Sequence, residues 1–226
     1  MIIAKFVAVV IIGYLLGSIP FGVLIGRRAA GVDIRQYGSG RMGTANVLRT
    51  AGKRAAVLAA CLDILKGALA VVFAGLIVGE SYLLIGDYAL GMLSVQVLAG
   101  LAAIVGHIWP VFLRFKGGRG VATFFGGLIA LWPVGLMAAA FGGVVLISAV
   151  ALTRYASLGS ISGAVGTCAI LVLLTMMNGF PIEYLAYTSI GAVLIIVMHR
   201  DNIARLISGK ERKLGEKVGT GGLHPR

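Results

Sequence analysis

Acidic residues are scarce: eight Asp and Glu stand against 20 Lys and Arg in 226 residues, a formal net charge of +12. Charge of any kind is thin as well, at 12% of the chain, while 59% is hydrophobic and the mean hydropathy is +0.99. A water-soluble domain of this length needs far more polar surface, so a soluble globular fold is excluded. The nucleic-acid partner that such a positive charge would otherwise suggest goes with it. Cysteine is nearly absent. Cys61 and Cys168 both sit in apolar runs without metal-ligand spacing, which argues against a disulfide framework and a zinc site. An A-x-A-like cleavage site is missing after the N-terminal apolar run, so that run reads as a retained helix rather than a leader.

Long apolar sequence is what the chain has in quantity. About 20 apolar residues cross the roughly 30 Å hydrocarbon core, and candidate spans are 6–26, 55–79, 88–106, 155–177 and 180–198. The stretch 120–153 is too long for one crossing and is divided at Trp132-Pro133, a proline beside an interfacial aromatic. The expectation is an all-α membrane protein of about seven transmembrane helices, in which the first half of that stretch, 120–131, is short for a span. With the N-terminus outside and the C-terminus cytoplasmic, Arg27, Arg28, Arg35, Arg41, Arg49, Lys53, Arg54, Arg114, Lys116, Arg119, Arg154 and the basic tail from Arg200 all fall inside. The opposite loops hold Glu80, Asp87 and Glu183 without Lys or Arg. Residues 1–208 read as one integral domain and 209–226 as a basic, partly disordered tail. Gly13-xxx-Gly17, Gly22-xxx-Gly26 and Gly159-xxx-Gly163 suit close helix packing in lipid.

Three segments carry chemistry. The first is YGSGRMGTANVLR, residues 37–49, whose Gly38-x-Gly40-x-x-Gly43 spacing matches a dinucleotide fingerprint. A dinucleotide fold needs a preceding strand, and a membrane helix precedes this one. The glycines can instead aim backbone N–H groups at one point, Ser39 and Thr44 add hydroxyls, and a helix opening at Thr44 or Asn46 presents its positive end: a phosphate site. The second segment runs from Gly106-His107-Ile108-Trp109-Pro110 to Lys116-Gly117-Gly118-Arg119-Gly120, where two cations bracket a glycine pair before an apolar helix. His107 reads equally as a structural or a functional histidine. In the third, His199, Asn202 and Arg205 recur every three residues and share one face of a helix leaving the membrane. Asp63 and Lys66, three residues apart within a span, form either a functional pair or an internal ion pair that supports the bundle.

GSIPFG, GVDIRQYGSGRMGTANVLR, LDILKG, GHIWPVFLRFKGGRGVAT and HRDNIARLISGKE together resemble the successive motifs of the bacterial acyl-phosphate:glycerol-3-phosphate acyltransferases, the PlsY family. The resemblance runs nearly end to end. It implies a seven-helix inner-membrane enzyme with a cytoplasmic active site, moving a fatty acyl group from acyl phosphate to the sn-1 hydroxyl of glycerol 3-phosphate to give lysophosphatidic acid and phosphate. It implies no metal, no organic cofactor and no acyl-carrier protein or coenzyme A; the partners are the two substrates and membrane lipids, with no obligatory protein. By the same resemblance, Ser39, Arg49, Arg119, His199 and Asn202 fall on substrate-binding and catalytic positions. Arg41 and Met42 stand where the family often has Asn and a small residue or Pro, and Arg119 where Lys is common.

Such a reaction brings two phosphates together. Two dianions about 6 Å apart at an effective dielectric near 20 repel by roughly ten kcal/mol, so cations such as Arg41 or Arg49, Lys116 and Arg119 must offset that. Phosphate leaves readily, and the attacking hydroxyl's proton can go to His199, to His107 or to a substrate phosphate oxygen. A transporter of phosphorylated metabolites is the rival, although carriers place their sites at the bilayer midplane between repeats.

Overall fold

The computed structural model describes residues 2–85 and 88–215; the expectations for Asp87 and for the end of the basic tail, 216–226, fall outside them. Among the described residues, nine α-helices and a small hairpin follow in order: α1 (Ile2–Ser18), α2 (Phe21–Ala30), α3 (Thr44–Val78), β1 (Leu83–Ile85), β2 (Tyr88–Leu90), α4 (Met92–Ile108), α5 (Val121–Ala130), α6 (Val134–Thr153), α7 (Ala156–Asn178), α8 (Ile182–Met198) and α9 (Arg200–Ile207).

Among the described residues, five stretches are long and apolar enough to cross a membrane: Ile2–Ala30, Thr44–Val78, Met92–Leu113, Val134–Thr153 and Ala156–Met177. A sixth is reached by counting α8 with α9, which meet at a bend of 62°. The remaining apolar helix, α5, has 10 residues. At 1.5 Å per residue it reaches about 15 Å, half the hydrocarbon thickness. The expected seventh helix therefore ends before Trp132-Pro133 and falls short of a full crossing, both as anticipated.

Three boundaries differ from expectation for local reasons. The first apolar run divides at Pro20, the N-cap of α2, because proline offers no N–H to continue α1. The helix expected to open at Thr44 or Asn46 starts at Thr44 and runs on into the span expected from residue 55 as one element, α3, with Gly52, at φ 85° and ψ 179°, separating its polar first turns from the apolar length. Tyr88, expected to open a span, pairs instead with Ile85 in an antiparallel hairpin, and α4 begins after Gly91. An apolar count does not distinguish a short strand from a helix, and this one small hairpin is an addition to a fold that is otherwise all-helical as expected.

Packing follows the small residues. A side chain at Gly17 would strike the Ala103 carbonyl, so α1 lies directly on α4. The core gathers Val71, Ile104, Phe124, Leu128, Tyr187 and Ile195 from four helices, α3, α4, α5 and α8. Phe124 stacks on Tyr187 with centroids 5.6 Å apart, and the buried Tyr187 hydroxyl donates to the Phe124 carbonyl at 2.9 Å. That bond satisfies the one polar atom this ring brings inside. It also fixes α5 against α8, and the site lies at the end of both.

Candidate active site

The loop between α2 and α3 is tied down from within. Ile34 and Met42 are buried in a small core with Val23 and Val47. The Asn46 amide donates to the carbonyls of Ile34, Tyr37 and Arg41 at 2.7, 3.2 and 2.8 Å, while its oxygen accepts from Ser39 N at 3.1 Å. Asn46, expected to contact phosphate, thus has its amide engaged in shaping the loop. Gly38 and Gly40 take φ values of 60° and 68°, which let the chain reverse there. Asp33 caps the preceding 3-10 turn. Hydrogen bonds from Arg35 above all, outweighing partial burial, hold its carboxyl down to about 2.

The second loop turns back on α4, with Gly117 N donating to the Ile108 carbonyl at 3.1 Å and Gly118 N to the His107 carbonyl at 3.0 Å. Gly120, at φ 84°, caps α5. Arg119 extends from this loop to Asn202 Oδ1 at 2.6 Å. Burial, and next the positive charge of Arg41, push the Arg119 guanidinium down to about 10.

At the bend between α8 and α9, His199 is buried and its Nδ1 lies 2.8 Å from the Ile195 carbonyl. A carbonyl can only accept, so Nδ1 carries the proton and Nε2 keeps its lone pair. Asn202 Nδ2 donates to Glu211 Oε1 at 2.7 Å, and Ser157 and Arg205 donate to the same carboxylate at 2.9 and 2.8 Å. Burial raises the Glu211 pKa, and these hydrogen bonds more than reverse it, leaving the group below the ordinary glutamate value. Arg212 closes the ring by donating to the Gly38 carbonyl at 3.0 Å.

These elements surround one cavity of about 790 Å³. Gly38, Ser39, Arg41, Gly43, Thr44, Asn46, Arg49, Asp63, His107, Arg119, His199 and Asn202, all singled out from sequence, share its wall. The N-termini of α3, α5 and α7 open onto it, and their unpaired N–H groups add to the arginines. Gly40, Gly117, Gly118, Lys116 and Lys66 are not on the wall; Lys116 is exposed, and Lys66 is buried behind Asp63. Away from the arginines the cavity continues between Phe125, Ile129, Leu136, Leu146, Ile147 and Val150. One end suits an anion and the other an aliphatic chain.

Sequence reasoning missed Glu211, Arg212 and Ser157. Glu211 closes the HRDNIARLISGKE motif but falls, with Arg212, in the segment assigned to the basic tail, and Ser157 begins a helix that carries no motif. No spacing rule links residue 211 to residue 157; only the folded chain does.

The fold and site define a helical protein with membrane-length spans, whose cavity joins clustered guanidinium groups to an aliphatic channel and fits an anionic amphiphile. Its family follows from likeness to known proteins. The glycerol-3-phosphate acyltransferase family model matches residues 7–209. The chain is 61% identical over 218 residues to glycerol-3-phosphate acyltransferase 3 of Dehalococcoides mccartyi (strain CBDB1), covering 96% of this chain and 100% of that one. It is 43% identical over 211 residues to the glycerol-3-phosphate acyltransferase of Halalkalibacterium halodurans, with 93% and 96% covered. It resembles the crystal structure of PlsY, an integral membrane glycerol 3-phosphate acyltransferase, in its glycerol 3-phosphate form, at a TM-score of 0.78 and 37% identity over 93% of this chain and 96% of that one. The lysophosphatidic acid form of the same protein gives a TM-score of 0.76. The chain belongs to the glycerol-3-phosphate acyltransferase family of the PlsY type.

Proposed function

We propose that this protein transfers a fatty acyl group from acyl phosphate to the sn-1 hydroxyl of glycerol 3-phosphate, releasing lysophosphatidic acid and inorganic phosphate. The observation that carries the reading is the single cavity whose guanidinium-rich end continues into an aliphatic one. Two phosphates need neutralising, and Arg41, Arg49, Arg119, Arg205 and Arg212 all reach the wall. An acyl chain needs an apolar path, and the walls of α5 and α6 offer it.

The glycerol hydroxyl oxygen attacks the acyl carbon, the bond from that carbon to the phosphate oxygen breaks, and the leaving phosphate keeps the electron pair. A substrate phosphate oxygen takes the hydroxyl proton, its second pKa near 6 suiting it to the task. His199 Nε2 and Asn202 orient glycerol phosphate, Nε2 as an acceptor because Nδ1 is committed to Ile195. Ser39 and Arg49 complete the catalytic set, while Gly38, Arg41, Gly43, Thr44 and Arg119 hold phosphate.

The site faces the cytoplasm from the bacterial inner membrane. The basic loops support that orientation, as does the supply of glycerol phosphate from water and of the acyl chain from lipid. Purified protein given synthetic acyl phosphate, with no other acyl donor, is expected to release phosphate only when glycerol 3-phosphate is added and to form a monoacyl glycerol phosphate identified by mass. Product formation that needs a carrier protein or coenzyme A would reject the acyl-phosphate reading.

A further inference from the structure

A charge cluster that the reaction above does not use runs inward from the cavity wall, where Asp63 and His107 stand, to Lys66 behind it. Lys66, Asp63 and His107 have side-chain exposures of 2%, 1% and 3%. Lys66 Nζ lies 2.8 Å from Asp63 Oδ1, donates to the Ile19 carbonyl at 2.9 Å where α1 gives way to α2, and stands 5.8 Å from the centre of the Phe21 ring. His107 Nδ1 points at the same Asp63 oxygen from 3.5 Å, and its opposite edge meets Gly118 so closely that any side chain there would strike Nε2. Gly118 in turn donates its N–H to the His107 carbonyl, and the next residue is Arg119. A line of contacts therefore runs from the buried ammonium through the carboxylate and the imidazole to the loop that aims Arg119 at Asn202.

Bundle stability alone does not explain this cluster. Apolar side chains of similar volume replace buried ion pairs at little cost or with a gain in stability. The apolar alternative would leave nothing polar to set the angle of the imidazole on which the loop is folded. We infer that Lys66, Asp63 and His107 are positioning residues, holding the 117–119 loop so that the Arg119 guanidinium meets a substrate phosphate. The inference rests on the acyltransferase reading. It adds a task for His107, beside the cavity wall it already forms, and gives a role to Asp63 and Lys66.

The decisive variant is Asp63→Leu with Lys66→Met, which removes both charges together. Its melting temperature is expected to match or exceed wild type, while the KM for at least one substrate rises by about tenfold to a hundredfold, as displacement by about 1 Å does at other sites. Glycerol 3-phosphate affinity by calorimetry gives a readout separate from turnover. In an Arg119→Gln background the same pair of changes is expected to add little, because the residue it positions is gone. Lys66→Arg, which keeps the ion pair, is expected to stay close to wild type. Should the double variant fail to fold, His107→Leu leaves the Lys66–Asp63 pair whole and is expected to shift the same KM. An unchanged KM in a folded variant, or a loss fully additive with Arg119→Gln, would overturn the positioning role. Wild-type protein that neither binds nor turns over glycerol 3-phosphate would instead overturn the acyltransferase reading.

Discussion

Arg119 illustrates what one side chain contributes here. It joins the second loop to α9 through Asn202 and stands near Arg41, whose charge helps lower its pKa to about 10. It is fully charged at neutral pH, so phosphate binding through it is expected to be flat near neutrality and to weaken as pH rises through about 10, measurable by calorimetry across that range. A hydrogen bond to a charged group contributes about 1.5–3 kcal/mol, and Arg119→Gln is accordingly expected to raise a substrate KM about tenfold to a hundredfold. Asp33 works in the opposite direction. Its pKa is lowered, so the stability it lends the first loop is present above its unfolded value near 3.8 and lost as pH falls toward 2. At neutral pH, Asp33→Asn is expected to loosen residues 33–41, read as faster amide exchange there. Met42, a departure from the family pattern at the sequence level, proves to be a core residue buried beside Ile34. Its apolar character was legible; its inward direction was not, since a loop has no periodicity to reveal which way a side chain points.

At the scale of elements, hydropathy located every apolar helix, because burial in lipid is written into composition. It blurred the ends, because caps and breaks depend on backbone geometry. Pro20 and Gly52 both interrupt runs that an apolar count treats as continuous or as loop. Gly52 adopts a backbone region reserved for glycine, which costs other residues about 1–3 kcal/mol. Gly52→Ala is expected to lower the melting temperature and shift the first turns of α3, which carry Asn46 and Arg49. The α1–α4 contact gives a second test. Overpacking typically costs about 1–3 kcal/mol, and Gly17→Val, facing the Ala103 carbonyl, is expected to lose folded protein in detergent size-exclusion profiles. The paired strands 83–85 and 88–90 went unread because three-residue strands lack the length for alternation to register.

Across the whole molecule, the site is an assembly of distant parts. Motif residues from four regions meet on one wall, which their shared preference for anions made legible, whereas Glu211 became visible only once the chain turned back beyond α9. Leu214 N donates to the Arg154 carbonyl at 2.6 Å, so residues 208–215 run from α9 across to the start of α7. Glu211→Ala removes the shared acceptor of Ser157, Asn202 and Arg205. It is expected to lower both the melting temperature and turnover, with Asn202 released from one of its two anchors.

The change of lining along the cavity, from guanidinium to aliphatic, bears on departure as much as on arrival. On the proposed reaction the two products prefer opposite surroundings. Inorganic phosphate escapes to water past the arginines, while the monoacyl product can slide sideways into the leaflet without its tail ever being wetted. Turnover in bilayers should then depend on how fluid the neighbouring lipid is, even when both substrates are saturating.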